Sequence, residues 1–221
     1  IALAPASVQE MADFVGIAFD LAFKYRNPAI ILADGVIGQM MEKVVLPEQR
    51  TRLTDEEVIA RCPWATTGRT HHRTPNIITS LELDPAEMEK RNIHLQKKYA
   101  EIEENEVRFE ELHCEDAEYL IVAFGSCARI AQKAMEMARE EGIKVGLLRP
   151  ITLWPFPSKA IAARAAQVKG ILTVELNAGQ MVEDVRLAVE CKVPVEHFGR
   201  LGGIVPDPDE VITALKEKLI K

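Results

Sequence analysis

One alternation of apolar runs and glycines constrains the fold of this chain more than any other feature. An apolar run at 119–124 ends at Gly125, and a helical pattern then continues as far as Gly142. A second apolar run follows at 145–148. Strand, glycine turn, helix and strand make one βαβ unit of a parallel sheet. Because both strands are continuously apolar, we expect helices on both faces of the sheet.

Two later apolar runs extend this pattern to the end of the chain. Strands are predicted near 171–175 and 195–198, in addition to those near 119–124 and 145–149. Helical patterns lie near 158–167, at 181–190 and from Pro206 onward. Residues 116–221 are therefore predicted to form one α/β domain, with four parallel neighbouring strands in a single sheet.

The first 46 residues predict the end of a second α/β domain. Ser7 and Glu10 fit a capping box at the start of an amphipathic helix. Residues 29–33 predict a buried strand that ends at Asp34-Gly35. One helix and one or two strands cannot cover both faces of a sheet, so the rest of this domain is expected in residues outside this sequence or in another chain. The start at Ile1 instead of methionine also suggests a fragment.

Residues 47–115 predict a connector that contains one long helix. Its first part carries Pro47, Pro63 and Pro75 among many Thr and Arg residues, which breaks every periodic pattern. Asp84, Pro85 and Glu87 then provide an N-cap, a proline at the first helical position and an acidic residue in the first turn. The apolar stripe that follows predicts a helix that continues to about Leu112.

Composition excludes several classes of function. The formal net charge of −7 argues against nucleic acid as the main partner. No apolar run reaches the roughly 20 residues that a membrane helix needs. The four cysteines contain no C-x-x-C pair, which predicts separate reduced thiols and no metal site. No Ser/His/Asp, Cys/His or paired-carboxylate pattern stands out, so no catalytic residue is assigned.

Candidate binding residues lie where strands end, because open α/β folds usually bind ligands at the carboxyl edge of the sheet. A turn, a loop start or a subunit contact is the simpler explanation of the same residues, and Arg149 is expected to pair with Glu175. These candidate sheet-edge residues are Asp34, Gly35, Arg149, Asn177, Gly179, Gly199, Gly202 and Gly203.

Two further sequence features could bind anions. Gly125-Ser126 lies between a strand and a helix N-terminus, where backbone amides favour a negative group, although a tight packing turn explains it as well. A dense basic patch could hold a carboxylate or phosphate, or it could be an exposed connector or a subunit interface. This patch consists of Arg69, His71, His72 and Arg73.

Several long segments resemble a known family. Residues 123–157, AFGSCARIAQKAMEMAREEGIKVGLLRPITLWPFP, resemble a transketolase C-terminal-type domain. More narrowly, they resemble the α-type subunit of 2-oxoacid:ferredoxin oxidoreductases. Residues 76–111, 174–190 and 198–203 are most similar to the 2-oxoisovalerate (3-methyl-2-oxobutanoate, branched-chain) type.

This resemblance implies a cytoplasmic enzyme complex that converts a 2-oxoacid and coenzyme A to acyl-CoA and CO₂ and reduces ferredoxin. Thiamine diphosphate and Mg²⁺ would be shared with a thiamine-binding β-type subunit, and iron–sulfur clusters would belong to iron–sulfur and γ-type subunits. Residues 1–46 match the end of the domain that contacts the pyrimidine of the cofactor. The activating glutamate of the family falls outside this sequence, so no cofactor is expected on these residues alone.

Two alternatives stay open from the sequence. One is a thiamine-dependent transketolase or 2-oxoacid dehydrogenase E1 component with the same domain, although its connector does not look like residues 47–115. The other is an assembly module without chemistry.

Overall fold

The computed structural model describes residues 1–66, 68 and 77–220, and these form two compact units. The larger unit contains residues 1–45 and those from 102 onward, and the smaller one contains residues 46–101. The elements occur in the order β1 (Ala2–Leu3), α1 (Val8–Tyr25), β2 (Ile30–Ile31), α2 (Gly35–Gln39), α3 (Asp55–Arg61), α4 (Pro85–Asn105), β3 (Phe109–Leu112), β4 (Tyr119–Ala123), α5 (Gly125–Glu140), β5 (Val145–Pro150), β6 (Thr152–Trp154), α6 (Ser158–Ala165), β7 (Gly170–Glu175), α7 (Met181–Val189), β8 (Val195–Gly199) and α8 (Pro208–Leu215). A π-helical segment, Lys216–Ile220, continues α8.

The larger unit is organised around a five-stranded sheet in the order β3-β5-β4-β7-β8. β5, β4, β7 and β8 are parallel neighbours, so the predicted arrangement of four strands is confirmed. β3 adds an antiparallel strand at the edge next to β5. A parallel sheet with one antiparallel edge strand is common in α/β proteins.

Helices cover both faces of this sheet, as the apolar strands predicted. On one face, α5 and α8 bury Ala131, Met135 and Leu215 against strand residues such as Leu147 and Leu172. On the other face, α6 and α7 bury Ile161 and Val185 among a second set of strand residues, Leu120, Leu148 and Ile171. Alternate residues of each strand therefore supply two separate cores, which is what continuously apolar strands require.

The predicted helix from Asp84 begins as expected but ends earlier. Asp84 Oδ1 accepts hydrogen bonds from the amides of Ala86 and Glu87 at the start of α4. The prediction that this helix continues to about Leu112 is wrong, because α4 ends at Asn105 and residues 109–112 form β3. The backbone of β3 pairs with the free edge of β5, and this pairing outweighs the helical periodicity of the sequence.

A smaller sheet in the order β2-β1-β6 holds the N-terminal segment. The strand predicted at 29–33 is present as β2, but it has only two residues. The prediction that it is buried is wrong, because Ile30 and Leu32 are about half exposed. β2 is an edge strand, with β1 as its partner in the described part of the chain. Apolar residues of α1 are exposed beside it, among them Val15, Phe19 and Phe23. The N-terminal layer therefore presents an apolar face.

The smaller unit contains α3 and most of α4. Thr54 and Glu57 form a complete capping box at the start of α3. The basic patch of Arg69, His71, His72 and Arg73 lies outside the described residues. None of the helices in the described residues is both long and apolar enough to cross a membrane. Within the same residues, no group of three His, Cys, Asp or Glu could hold a metal ion.

Candidate functional site at the carboxyl edge of the sheet

The order of the parallel strands reverses at β4. β5 and β7 lie on opposite sides of β4, and the helices that follow β4 and β7 pack on opposite faces of the sheet. Open α/β sheets bind ligands in the crevice that such a switch point creates. A cavity of about 200 Å³ lies there, lined by Leu32, Ala33, Asp34, Phe124, Gly125, Cys127, Glu175, Leu176, Asn177 and Gln180.

A carboxylate of the chain itself enters this crevice and binds the first turn of α5. Asp34 Oδ2 accepts a hydrogen bond of 2.7 Å from the Ser126 amide. Its other oxygen, Oδ1, accepts from the amides of Val36 at 3.0 Å and Ile37 at 2.9 Å, and so caps α2. Gly125 has φ +61°, and a Cβ at this position would lie 2.7 Å from Asp34 Oδ2. Glycine is therefore required for this close approach.

A second carboxylate closes the opposite wall of the crevice. Glu175 is the last residue of β7. Its side chain is fully buried and accepts three backbone hydrogen bonds from the start of α7. The donors are the amides of Gln180 at 3.1 Å, Met181 at 2.8 Å and Val182 at 3.0 Å. His197 Nδ1 lies 3.4 Å from its Oε1. Glu175 therefore satisfies the amides that α7 leaves without an intrahelical partner.

The two helix N-termini at the crevice are thus already neutralised from within the chain. The turn at Gly125-Ser126 was considered as an anion site. The anion that the Ser126 amide binds is the side chain of Asp34. A diphosphate would meet two carboxylates, Asp34 and Glu175, instead of free amides. The described residues of the crevice therefore do not fit the diphosphate of a thiamine cofactor.

The thiol in the crevice is not an activated nucleophile. Cys127 is buried, and burial raises its pKa to about 12, with a further contribution from the nearby carboxylates. Burial likewise raises the pKa of Cys114 to about 11. Because the thiolate is the reactive form, neither cysteine is reactive at neutral pH.

Arg149 lies at the end of β5, where it belongs to a different cluster. The predicted ion pair with Glu175 is wrong: Arg149 binds both carboxylate oxygens of Glu10 at 2.8 Å and donates from Nε to Glu110 at 2.9 Å. Burial alone would raise the pKa of Glu10, but hydrogen bonds from Arg149 and from the Ala6 amide outweigh burial and lower it. Such a bidentate pair fixes the side chains of α1 and β5 against each other.

The capping box predicted for Ser7 and Glu10 at the start of α1 is only partly formed. Ser7 Oγ accepts from the Glu10 amide at 3.1 Å, so half of the capping box is present. The Glu10 side chain does not return to the Ser7 amide, because it accepts from the Ala6 amide at 2.7 Å and binds Arg149. The Ala6 amide and Arg149 have therefore taken the place of the Ser7 amide as partners of Glu10.

Glu106 forms a third buried cluster between α1 and the segment that leads into β3. Its Oε1 accepts from Lys24 Nζ and Tyr25 Oη, both at 2.7 Å, and Arg108 lies 3.6 Å from Oε2. Burial alone would raise the pKa of Glu106, but the hydrogen bonds from Lys24 and Tyr25 outweigh it and lower the pKa. Neither Glu106 nor Glu10 was singled out from the sequence.

We expect the Glu106→Gln variant to lose about 1–2 kcal/mol of unfolding free energy at neutral pH, because a charged acceptor is replaced by a neutral one. A lowered pKa stabilises the fold above the unfolded carboxyl value of about 4.3, and this contribution disappears as the pH falls through the folded value. The difference between wild type and variant should therefore shrink below about pH 4. Denaturant unfolding at pH 7 and pH 3.5 measures it.

Glu104→Gln is the control for this experiment, since Glu104 lies on the surface and its partner Lys159 is also exposed. This variant should differ little from wild type at either pH. A Glu106→Gln deficit that stays constant with pH would rule out the ionised form of Glu106 as its source.

The remaining candidates fall into two groups. Asn177 lines the crevice and accepts a hydrogen bond from the Gly179 amide at 2.7 Å. Gly199 belongs beside it, because a Cβ on Gly199 would lie 2.2 Å from the Asn177 carbonyl oxygen. Gly35 is the first residue of α2, next to Asp34. By contrast, Gly202 and Gly203 are not among the residues that line this crevice.

Two sequence profiles match consecutive parts of the chain. Residues 1–113 match the profile described as "Pyruvate flavodoxin/ferredoxin oxidoreductase, thiamine diP-bdg". The chain belongs to the pyruvate flavodoxin/ferredoxin oxidoreductase family. Residues 117–211 match its "Pyruvate:ferredoxin oxidoreductase core domain II". The predicted resemblance to 2-oxoacid:ferredoxin oxidoreductases is therefore confirmed.

Relatives within this oxidoreductase family match nearly the whole sequence. The ketoisovalerate oxidoreductase subunit VorB of Methanothermobacter marburgensis is 46% identical over 217 residues, which cover 98% of this chain and 60% of that protein. The 2-oxoglutarate synthase subunit KorA of Archaeoglobus fulgidus is 32% identical over 210 residues, with 94% and 58% covered. The chain thus spans about 60% of the length of the relatives it matches.

A solved structure of a 2-oxoglutarate:ferredoxin oxidoreductase from Magnetococcus marinus has the same fold. The match has a TM-score of 0.74 at 23% identity and covers 98% of this chain and 42% of that one. It supports the α/β architecture of this oxidoreductase chain.

Proposed function

We propose that the chain is part of a subunit of a thiamine diphosphate-dependent 2-oxoacid:ferredoxin oxidoreductase that acts on 2-oxoisovalerate. The products would be the branched acyl-CoA, CO₂ and reduced ferredoxin. One observation carries the proposal: identity is 46% to two ketoisovalerate oxidoreductase subunits but 30–32% to four 2-oxoglutarate synthase subunits, each over 94–98% of this chain.

The geometry of the crevice supports a scaffolding part in this reaction for the described residues. Asp34 and Glu175 occupy the two helix N-termini that could otherwise bind phosphate. The thiamine-binding β-type subunit would then hold the diphosphate and Mg²⁺, and partner subunits would hold the iron–sulfur clusters. Thiamine diphosphate would supply the decarboxylation chemistry, and this chain would fix one wall of the shared site.

An assay of the complete complex tests the substrate. With an artificial electron acceptor, we expect kcat/KM for 2-oxoisovalerate to exceed that for pyruvate or 2-oxoglutarate by about tenfold or more, because an apolar pocket gains that much from added methyl groups and rejects a second carboxylate. Reduction should require coenzyme A.

A reaction without coenzyme A and one without thiamine diphosphate serve as controls. A preference for pyruvate or 2-oxoglutarate would assign the protein to another substrate branch of the family. Reduction that persists without thiamine diphosphate would contradict the proposed reaction itself.

A further inference from the structure

A second cavity, of about 680 Å³, lies apart from the crevice at the strand ends, and the two share no lining residue. It lies in the larger unit, between the end of α4, the start of β3 and the segment that joins β6 to α6. Its size falls within the range of about 300–1,000 Å³ that small-molecule sites occupy. Three aromatic side chains, Phe109, Trp154 and Phe156, line it. The cavity therefore offers several ring surfaces to one ligand.

Each of these rings is attached to a different part of the fold. Phe109 is the first residue of β3 and pairs with Pro150 of β5. Trp154 is the last residue of β6 and pairs with Ala2 of β1. Phe156 packs against the core that α6 and α7 share with the sheet. Walls that the fold already holds in place lose little further freedom when a ligand binds.

The charged residues of the lining carry a net negative charge. Glu103 and Glu104 lie in the last turn of α4, and Lys159 lies in the first turn of α6. Lys159 Nζ lies 2.7 Å from Glu104 Oε2, whereas Glu103 has no ion-pair partner among residues 1–66, 68 and 77–220. The last turn of α4 contains no basic residue, so the negative end of the helix dipole adds to the charge of Glu103. A ligand that balances this charge is a cation.

We propose that this cavity binds an organic cation with a quaternary ammonium group, held against Phe109, Trp154 and Phe156 and balanced by Glu103. The face of an aromatic ring is negative and attracts a cation, and tryptophan does so most strongly. A quaternary ammonium group also buries its methyl groups against the rings. The site is separate from the proposed reaction and does not depend on which 2-oxoacid the complex uses.

Calorimetric titration of the complete complex with choline tests the nature of the ligand. We expect saturable binding of one choline per copy of this chain. The neutral alcohol 3,3-dimethylbutan-1-ol has nearly the shape of choline without its charge. Its binding should be weaker by about tenfold or more, because it loses the attraction to the rings and to Glu103.

Substitutions assign the binding to this cavity. Trp154→Leu should weaken choline binding about tenfold, because apolar surface stays while the ring is lost. Phe109→Leu makes the same test at a side chain that is 40% exposed, where the fold is least affected. Glu103→Gln should weaken choline binding about threefold and leave the neutral alcohol unaffected. Glu89→Gln is the matched control, because Glu89 is an exposed glutamate of α4 outside the lining and should not change the affinity.

Three results would overturn the proposal. One is the absence of saturable choline binding to the complete complex. Another is equal affinity for choline and its neutral analogue, which would make the cavity a simple apolar site. The third is choline binding that Trp154→Leu, Phe109→Leu and Glu103→Gln all leave unchanged, which would place the cation elsewhere in the complex.

Discussion

Replacing Asp34 with alanine is expected to lower the unfolding free energy by about 2–4 kcal/mol. Its two oxygens accept from three amides at the starts of two helices, α2 and α5. Loss of an N-cap costs about 1 kcal/mol per helix, and a buried amide left without a partner costs about 1–3 kcal/mol. Denaturant unfolding measures the total, and amide exchange at Ser126 reports the α5 cap alone.

Asp84→Ala is the matched control for this variant, because Asp84 caps a single exposed helix start with one oxygen. It should cost about 1 kcal/mol. Asp34→Asn should fall between the two: its amide oxygen can still cap α2, but its NH₂ group would face the Ser126 N–H. An Asp34→Ala cost no greater than that of Asp84→Ala would contradict a bridging role for Asp34.

Replacing Glu175 with alanine is expected to lower the unfolding free energy by about 3–5 kcal/mol, the largest effect of any substitution considered. Its side chain is fully buried, and its removal leaves the amides of Gln180, Met181 and Val182 without acceptors. Glu175→Gln should retain part of the stability, because one acceptor oxygen stays.

The comparison for Glu175 is Asp207→Ala, which removes the exposed cap of α8. Its expected cost is about 1 kcal/mol, as for an ordinary N-cap. Tryptophan fluorescence or far-ultraviolet circular dichroism follows both unfolding reactions. If Glu175→Ala costs no more than Asp207→Ala, its three hydrogen bonds do not stabilise α7 in solution.

Asp34 and Glu175 differ in how much of their contacts the local sequence indicates. Glu175 ends a strand five residues before Gln180, the N-cap of α7, so its contact with the start of that helix is short in sequence. The contacts of Asp34 are harder to predict. Its cap on α2 is local, but its hydrogen bond with the Ser126 amide joins positions 92 residues apart. No local pattern encodes that distance.

The sequence by itself determined the main sheet, its helices and the start of α4. Alternation between continuously apolar runs and helical periods is a local property, and so are the glycines and caps that separate them. Prediction from local patterns was wrong where a helical pattern continued into residues that form a strand. Residues 109–112 continue a helical stripe, yet they form β3 because the edge of β5 offers backbone partners.

Only the tertiary structure decided which charged groups meet. The sequence offers Glu10 the Ser7 amide as a local partner, but the Glu10 carboxylate binds the Ala6 amide and Arg149, which is 139 residues away. Glu106 likewise joins Lys24 across 82 residues. A buried charge requires a partner, and the fold determines which opposite charge or amide lies within hydrogen-bonding distance. Those distances exist only after the sheet and its helices have packed, which is why composition and periodicity could not supply them.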